Sequence, residues 1–292
     1  MAWRRPEEIV EDPRAVSLAG GLYRQINEYH SMDVRAINDL EIELLEQQLK
    51  VLKTPKKWSD IPKGTIVFNP SGASKCPREL YFKFKREEKD ERIGFPYQKR
   101  WTRNSTAVHE AVQKDFLYME RLLEDPKFTI SRMPDGTPAW EENIKTIKLF
   151  EHQGVQFALS GMMDGVLTYT PDGSQIGFEF KTKSNTVAQV GNYKMKDAGD
   201  YHKVQCVAYH HMFELDEFIL MYEAVAKDYW HQGANAKMDF RTFYYKPTDE
   251  EKTALLDKFA SVVLAVKNDE LPEADSTKCM FCEYKELCGR NE

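Results

Sequence analysis

The stretch GFEFKTK, residues 177–183, alternates Glu179 and Lys181 with Phe178 and Phe180 in a run that otherwise reads as a buried strand. Charged side chains are costly in a core strand unless they have partners or a task. Upstream, GMMDG carries Asp164, and the turn signal PDGS between the two stretches closes a hairpin. If Thr170 faces Gln175, Asp164 falls opposite Lys181. Side chains alternate faces along a strand, so Asp164, Glu179 and Lys181 then share one face. Ile176, Phe178 and Phe180 point to the other, the core face, with Met163, Leu167 and Tyr169. Two carboxylates beside an ammonium can hold a divalent cation, a hard acid that takes oxygen ligands. Such an ion polarises a phosphate and lowers the pKa of a bound water, while the lysine orients that water or neutralises developing charge. The competing reading is a surface cross-strand ion pair, contributing about 0–1 kcal/mol. Asp135 and Asp172 sit in two literal Pro-Asp-Gly turns but are poorer candidates, one remote in sequence and the other at the hairpin tip.

Gln205 and Tyr209, in QCVAY, are one helical turn apart and share a helix face. His109 stands one position off the apolar stripe of a helix expected over 104–126, formed by Val108, Val112, Phe116, Met119 and Leu123. Taken alone it reads as a structural histidine. Cys279, Cys282 and Cys288 give C-x-x-C-x5-C near the C-terminus, and Cys76 stands far upstream. Three closely spaced thiols want a fourth sulfur for a four-thiolate site, and spacing does not separate zinc from a [4Fe–4S] cluster. Cys206, within the QCVAY helix, reads as a small buried hydrophobe.

These residues need a scaffold. Residues 144–183 alternate in period two with turn signals at Gly154 and 171–174, which predicts a strand meander. Helical spacing returns over 199–215, strands are expected over 217–227 and 239–247, and Thr248 with Glu251 opens a helix over 248–269 with a capping box. Ser71 or Ser74 can cap a short helix with Pro77 in its first turn. Residues 1–65 read as a helical N-terminal extension. Ile37, Leu40, Leu44, Leu45, Leu49 and Leu52 form its stripe, which either docks on the body or binds a partner, and 53–64 reads as the linker out. The main domain is expected over 66–292.

The chain of 292 residues can bury a sizeable core, and a net charge of −6 argues against a protein that coats nucleic acid non-specifically. A local basic channel remains compatible with that charge. Residues 81–104 interleave aromatics with Lys83, Lys85, Lys99, Arg100 and Arg103, a pattern in which rings stack bases and cations follow phosphates. Lys183 and Arg78 are further phosphate candidates, and a solvated face is the competing reading. Neither a signal peptide nor an apolar run of membrane-spanning length is evident, so a cytoplasmic protein with reduced cysteines is expected.

GMMDG…FEFKTK resembles the core of the PD-(D/E)xK nuclease superfamily, and QCVAY resembles the Q-x-x-x-Y motif of its RecB-like branch. One cysteine before this core and three after it resemble the layout of the iron–sulfur members, of the AddB and CRISPR-associated Cas-four types. The resemblance spans roughly residues 70–290. It implies an α/β restriction-endonuclease-like core, a central mixed sheet flanked by helices, with a C-terminal iron–sulfur staple. It further implies Mg2+ or Mn2+ held by Asp164 and Glu179, with His109 as a third ligand. Imidazole would favour manganese. NSTAVHE lacks the glycine that often precedes this histidine, and Glu110 is the fallback ligand. Lys181 would activate water, Gln205 and Tyr209 would meet DNA, and Cys76, Cys279, Cys282 and Cys288 would hold a [4Fe–4S] cluster, with structural zinc as the alternative. The activity implied is exonucleolytic cleavage of single-stranded or frayed DNA ends in recombination, repair or replication, with a partner on the N-terminal helix. The rival is a non-catalytic DNA-end-binding adaptor that keeps the cysteine site.

Overall fold

The structure, a computed structural model, describes residues 12–53, 61–183 and 185–289. Most of the linker expected over 53–64 lies outside the described residues. From the N-terminus, α1 (Pro13–Ala15) leads through a π-helical turn into α2 (Gly21–His30) and α3 (Asn38–Lys53). Then come β1 (Val67–Phe68), α4 (Pro77–Lys85), α5 (Pro96–Leu122), β2 (Phe128–Ile130), α6 (Glu141–Ile144), β3 (Thr146–His152) and β4 (Val155–Gly161). The chain continues with β5 (Gly165–Tyr169), β6 (Ser174–Lys183), α7 (Asp200–Phe213), β7 (Phe218–Ala224), β8 (Phe240–Tyr245), α8 (Asp249–Asn268) and α9 (Lys285–Gly289).

The strands form a three-stranded sheet, β1-β4-β3, and a five-stranded sheet, β2-β5-β6-β7-β8. Within the larger sheet β6 and β7 are parallel and the other pairs antiparallel. This is a mixed α/β fold consistent with the restriction-endonuclease-like expectation. Both faces of the larger sheet are covered, as a parallel pair requires. Ile176, Phe178 and Phe180 pack with Leu22 and Ile26 of α2 and Phe116 of α5. On the other face Leu220 and Tyr222 pack with Val207 and Tyr209 of α7 and Phe259 and Val263 of α8.

Two expectations are corrected here. The β5–β6 register pairs Thr168 with Gln175 and Gly165 with Phe178, two residues tighter than expected, so Asp164 continues toward Glu179 rather than Lys181. The turn explains it. Asp172 accepts hydrogen bonds from the Ser174 amide (2.9 Å) and hydroxyl (2.6 Å), and Gly173 takes the left-handed φ of +74°. A shift of two preserves the faces, so the acids and lysine still do not mix with the phenylalanines. That face is not open, however: α7 covers it, Glu179 is fully buried, and Met163 joins the core on this side rather than the one holding Leu167.

The helices also differ in detail. α5 starts eight residues before the expected 104, with Pro96 in its first turn and the Gln98 side chain accepting from the Phe95 amide (2.9 Å). The cap of α4 is Cys76, not Ser71 or Ser74. The capping box of Thr248 and Glu251 forms as expected. At the N-terminus, Leu18, Leu22, Ile26 and Leu40 are buried in the core beneath the sheet. Gln25 bonds both the amide and carbonyl of Phe128 at 2.8 Å, and Arg14 bridges Glu217 and Asp172. The apolar docking of α3 runs through Leu40 and its neighbour Leu44, helped by Glu41, which accepts from the Tyr118 hydroxyl at 2.6 Å, and by Lys50, which pairs with Asp135 at 2.8 Å; Ile42, Leu45, Leu49 and Leu52 are exposed. No described helix is long and apolar enough to cross a membrane.

Candidate active site

Asp164 ends the approach to β5. Its Oδ2 accepts a hydrogen bond from the Phe180 amide at 2.7 Å, and its own carbonyl accepts one from the Gln113 side chain of α5 at 3.1 Å. Its Oδ1 lies 3.6 Å from His109 Nδ1. The His109 ring is held edge-on against Phe180, with centroids 4.7 Å apart. α5 and β6 therefore fix His109 and Asp164 against each other.

A third group joins them. Glu141, at the start of α6, places a carboxylate oxygen so that it, a His109 nitrogen and an Asp164 oxygen all lie within 4.8 Å of one another. Nothing in the spacing of the sequence marks Glu141, which lies in a loop-rich segment before β3. The backbone brings it in. Ser131 donates to Val166 (2.8 Å), Val166 to Ala139 (2.9 Å) and Glu141 to Met163 (2.8 Å), which zips this segment onto the strand entry. Glu141 adopts φ of +40°, a left-handed conformation costly for a residue with a Cβ. Burial and the neighbouring Asp164 charge raise its carboxyl above the usual range. Among the described residues these three are the one His/Cys/Asp/Glu group close enough to share an ion, and a histidine with two carboxylates is a donor set suited to Mn2+ or Mg2+. The exposed Glu110 is outside it.

Glu179 is engaged differently. Lys181 bonds its Oε1, and its buried Oε2 has no hydrogen-bond partner. Burial, reinforced by the Asp164 charge, pushes its carboxyl up to about 7. Burial disfavours the Lys181 ammonium, but the charges of Glu179 and Asp164 outweigh that and raise its pKa. Gln205 donates to the Tyr209 hydroxyl at 2.6 Å on the α7 face that covers this pair, and burial with the Glu179 charge raises the Tyr209 pKa. Beside the cluster, a groove of about 610 Å3 runs between α3 and α5 and is lined by Glu110, Gln113 and Glu141.

The predicted phosphate residues separate into two places. Arg100 and Arg103 lie on the exposed first half of α5, which touches the end of β6 where the Ser105 and Thr182 hydroxyls meet at 2.8 Å. Lys183 ends β6, with its ammonium over the Tyr222 ring. Lys83 and Lys85 are on α4, away from these; Lys85 pairs with Asp269 at 2.6 Å and Lys83 lies over Phe84. Arg78 donates to the Pro272 carbonyl and, at 3.5 Å, to Cys288 Sγ.

Cys76, Cys279, Cys282 and Cys288 all line one cavity of about 190 Å3 between α4 and the C-terminal tail. N–H groups point at three of the sulfurs: Asp275 to Cys76 (3.2 Å), Tyr284 to Cys282 (3.5 Å) and Arg78 to Cys288. Four thiolates on one zinc at about 2.3 Å would bring the sulfurs to about 3.8 Å of one another. No three of these sulfurs lie within 4.8 Å of one another. Cys206 is buried apart from them, in the core under α7.

A His–carboxylate cluster beside a buried acid–lysine pair on a mixed sheet is equipped for metal-assisted phosphodiester hydrolysis. Over residues 81–289 the chain matches the PD-(D/E)XK nuclease superfamily, and it belongs to that superfamily. None of the curated proteins compared matches the chain. Among solved structures, SSO0001 is similar at a TM-score of 0.42 and 13% identity, over 87% of this chain and 97% of that one. Rai1 from Scheffersomyces stipitis is similar at 0.25 and 14%, over 94% of this chain and 77% of that one. At these scores the assignment rests on the family match alone.

Proposed function

We propose that this protein is a metal-dependent deoxyribonuclease acting on single-stranded or frayed DNA ends, with an exonuclease role in recombination, repair or replication. The observation that carries the reading is the convergence of His109, Asp164 and Glu141 next to the buried Glu179–Lys181 pair. His109, Asp164 and Glu141 would hold Mn2+ or Mg2+, and Glu179 supplies its partnerless oxygen from the adjoining strand. When bound, the ion supplies Lewis acidity at the phosphate and a more acidic water. Lys181 holds its proton beside Glu179, orients the attacking water and offsets charge gathering on the phosphate. Gln205 and Tyr209 stiffen the floor beneath that pair and position the strand.

The four cysteines form the second part of the proposal. Their shared cavity and sulfur-directed N–H groups suit a four-thiolate site, a [4Fe–4S] cluster with structural zinc as the alternative. Such a cluster would staple the tail to α4. The exposed apolar face of α3 suits a protein partner, and a cytoplasmic setting fits reduced cysteines.

The test is digestion of end-labelled single-stranded DNA with Mn2+, with and without EDTA, by the wild type and Lys181→Ala. The reading expects metal-dependent shortening from an end that the variant loses. DNA bound but left intact by the wild type would favour the adaptor.

A further inference from the structure

Strands β6 and β7 run parallel and end at one edge of the sheet, and Lys181 lies two residues from the end of β6. In open α/β sheets ligands sit outside the carboxyl ends of the strands. The segments leaving this edge, 185–199 and 225–239, carry aromatic rings that the fold does not bury. Tyr193 is 98% exposed and Trp230 fully so. Tyr201, just beyond the first segment, and Tyr229 are exposed too.

Backbone and side-chain bonds hold these segments in place. The Arg241 guanidinium donates to the Met195 carbonyl, the Val225 amide donates to the Lys183 carbonyl at 2.7 Å, and the Asp228 carboxylate accepts the Lys237 amide at 3.1 Å. Cations are interleaved with the rings. Lys194 and Lys196 flank Met195 and make no ion pair among the described residues. Among the nearby acids Asp197 pairs with Lys203, Asp239 with Lys227, and Asp228 binds backbone amides, while the exposed Asp200 at the start of α7 makes no ion pair among the described residues. The first half of α5, joined to this edge through Ser105 and Thr182, adds Lys99, Arg100 and Arg103 with no acid between Pro96 and His109.

We propose that this carboxyl edge is a stacking platform for the unpaired bases of a DNA strand, with Tyr193 and Trp230 beneath the bases and Lys194, Lys196, Arg100 and Arg103 along the phosphates. The inference rests on the nuclease reading and adds the surface that selects its substrate. Exposed rings alternating with cations match single-stranded nucleic acid, whose bases present free π-faces. Duplex bases are already stacked and offer none.

The test is fluorescence anisotropy of a labelled oligo-dT strand in EDTA with the full chain. Tyr193→Ala/Trp230→Ala should weaken binding at least about tenfold, since each lost base–ring stack costs roughly fivefold or more. Trp230→Phe keeps a stacking ring and should bind within about threefold of the wild type, which separates lost stacking from misfolding. A blunt duplex of the same length should be affected far less. Oligo-dT binding by the double variant within twofold of the wild type, or equal losses on strand and duplex, would overturn the platform. Wild-type digestion with Mn2+, run in parallel, separates the two claims: intact digestion with unchanged binding removes only the platform, whereas no digestion removes the nuclease reading.

Discussion

Asp164 accepts the Phe180 amide at 2.7 Å through one carboxylate oxygen and faces His109 Nδ1 across 3.6 Å with the other. One side chain thus latches the strand entry to β6 and turns toward the candidate cation. Asp164→Asn keeps the size but removes the charge. Mn2+ binding measured by calorimetry should fall below detection, and strand cleavage should drop by about a hundredfold or more, the scale seen when one charge-stabilising group is lost.

Lys181 and Glu179 form a pair in which the acid is fully buried. Lys181→Met leaves that acid without its cation, and breaking a buried pair from one side costs about 3–5 kcal/mol. Urea unfolding should register that loss. Adding Glu179→Gln should recover much of the stability and none of the cleavage, because the groups that serve the reaction are then both gone.

His202 is buried, with Nδ1 2.6 Å from the Tyr222 hydroxyl, and burial together with the Lys181 and Lys183 charges lowers its pKa to about 3. The unfolded chain therefore binds this proton first as pH falls through about 6.5. Folding stability should decline with acidification between about 6.5 and 3, by about 2 kcal/mol from this residue on reaching pH 5. His202→Gln, which cannot take up the proton, should flatten that part of the stability–pH curve in urea titrations.

Cys279 lines the cavity shared with Cys76, Cys282 and Cys288. Anaerobically purified protein should carry iron and acid-labile sulfide in equal amounts and be brown. Cys279→Ser should lose both and melt at lower temperature, because the link between α4 and the tail closes a long loop. Stoichiometric zinc without sulfide would replace the cluster by a zinc site.

The parts legible in the sequence were those with short-range signatures. Alternation places β3 to β6, and the spacing of Asp164, Glu179 and Lys181 marks them as candidates. The hairpin register escaped because Asp172 side-chain bonds choose the turn, and two registers two residues apart look alike to a period-two pattern. Glu179 read as a residue on an open face because nothing local announces that α7 covers it. Glu141 was illegible for a different reason: long-range backbone bonds to Met163 and Val166 deliver it, and a carboxylate after a loop tryptophan has no periodicity.

The most direct test of the cation site is anomalous scattering from a Mn2+-soaked crystal. A single strong peak within coordination distance of His109, Asp164 and Glu141 is expected, about 2.0–2.4 Å from each ligand atom given the usual range for N and O donors to such ions. Manganese bound elsewhere, or a peak that Glu141 does not reach, would contradict the site described.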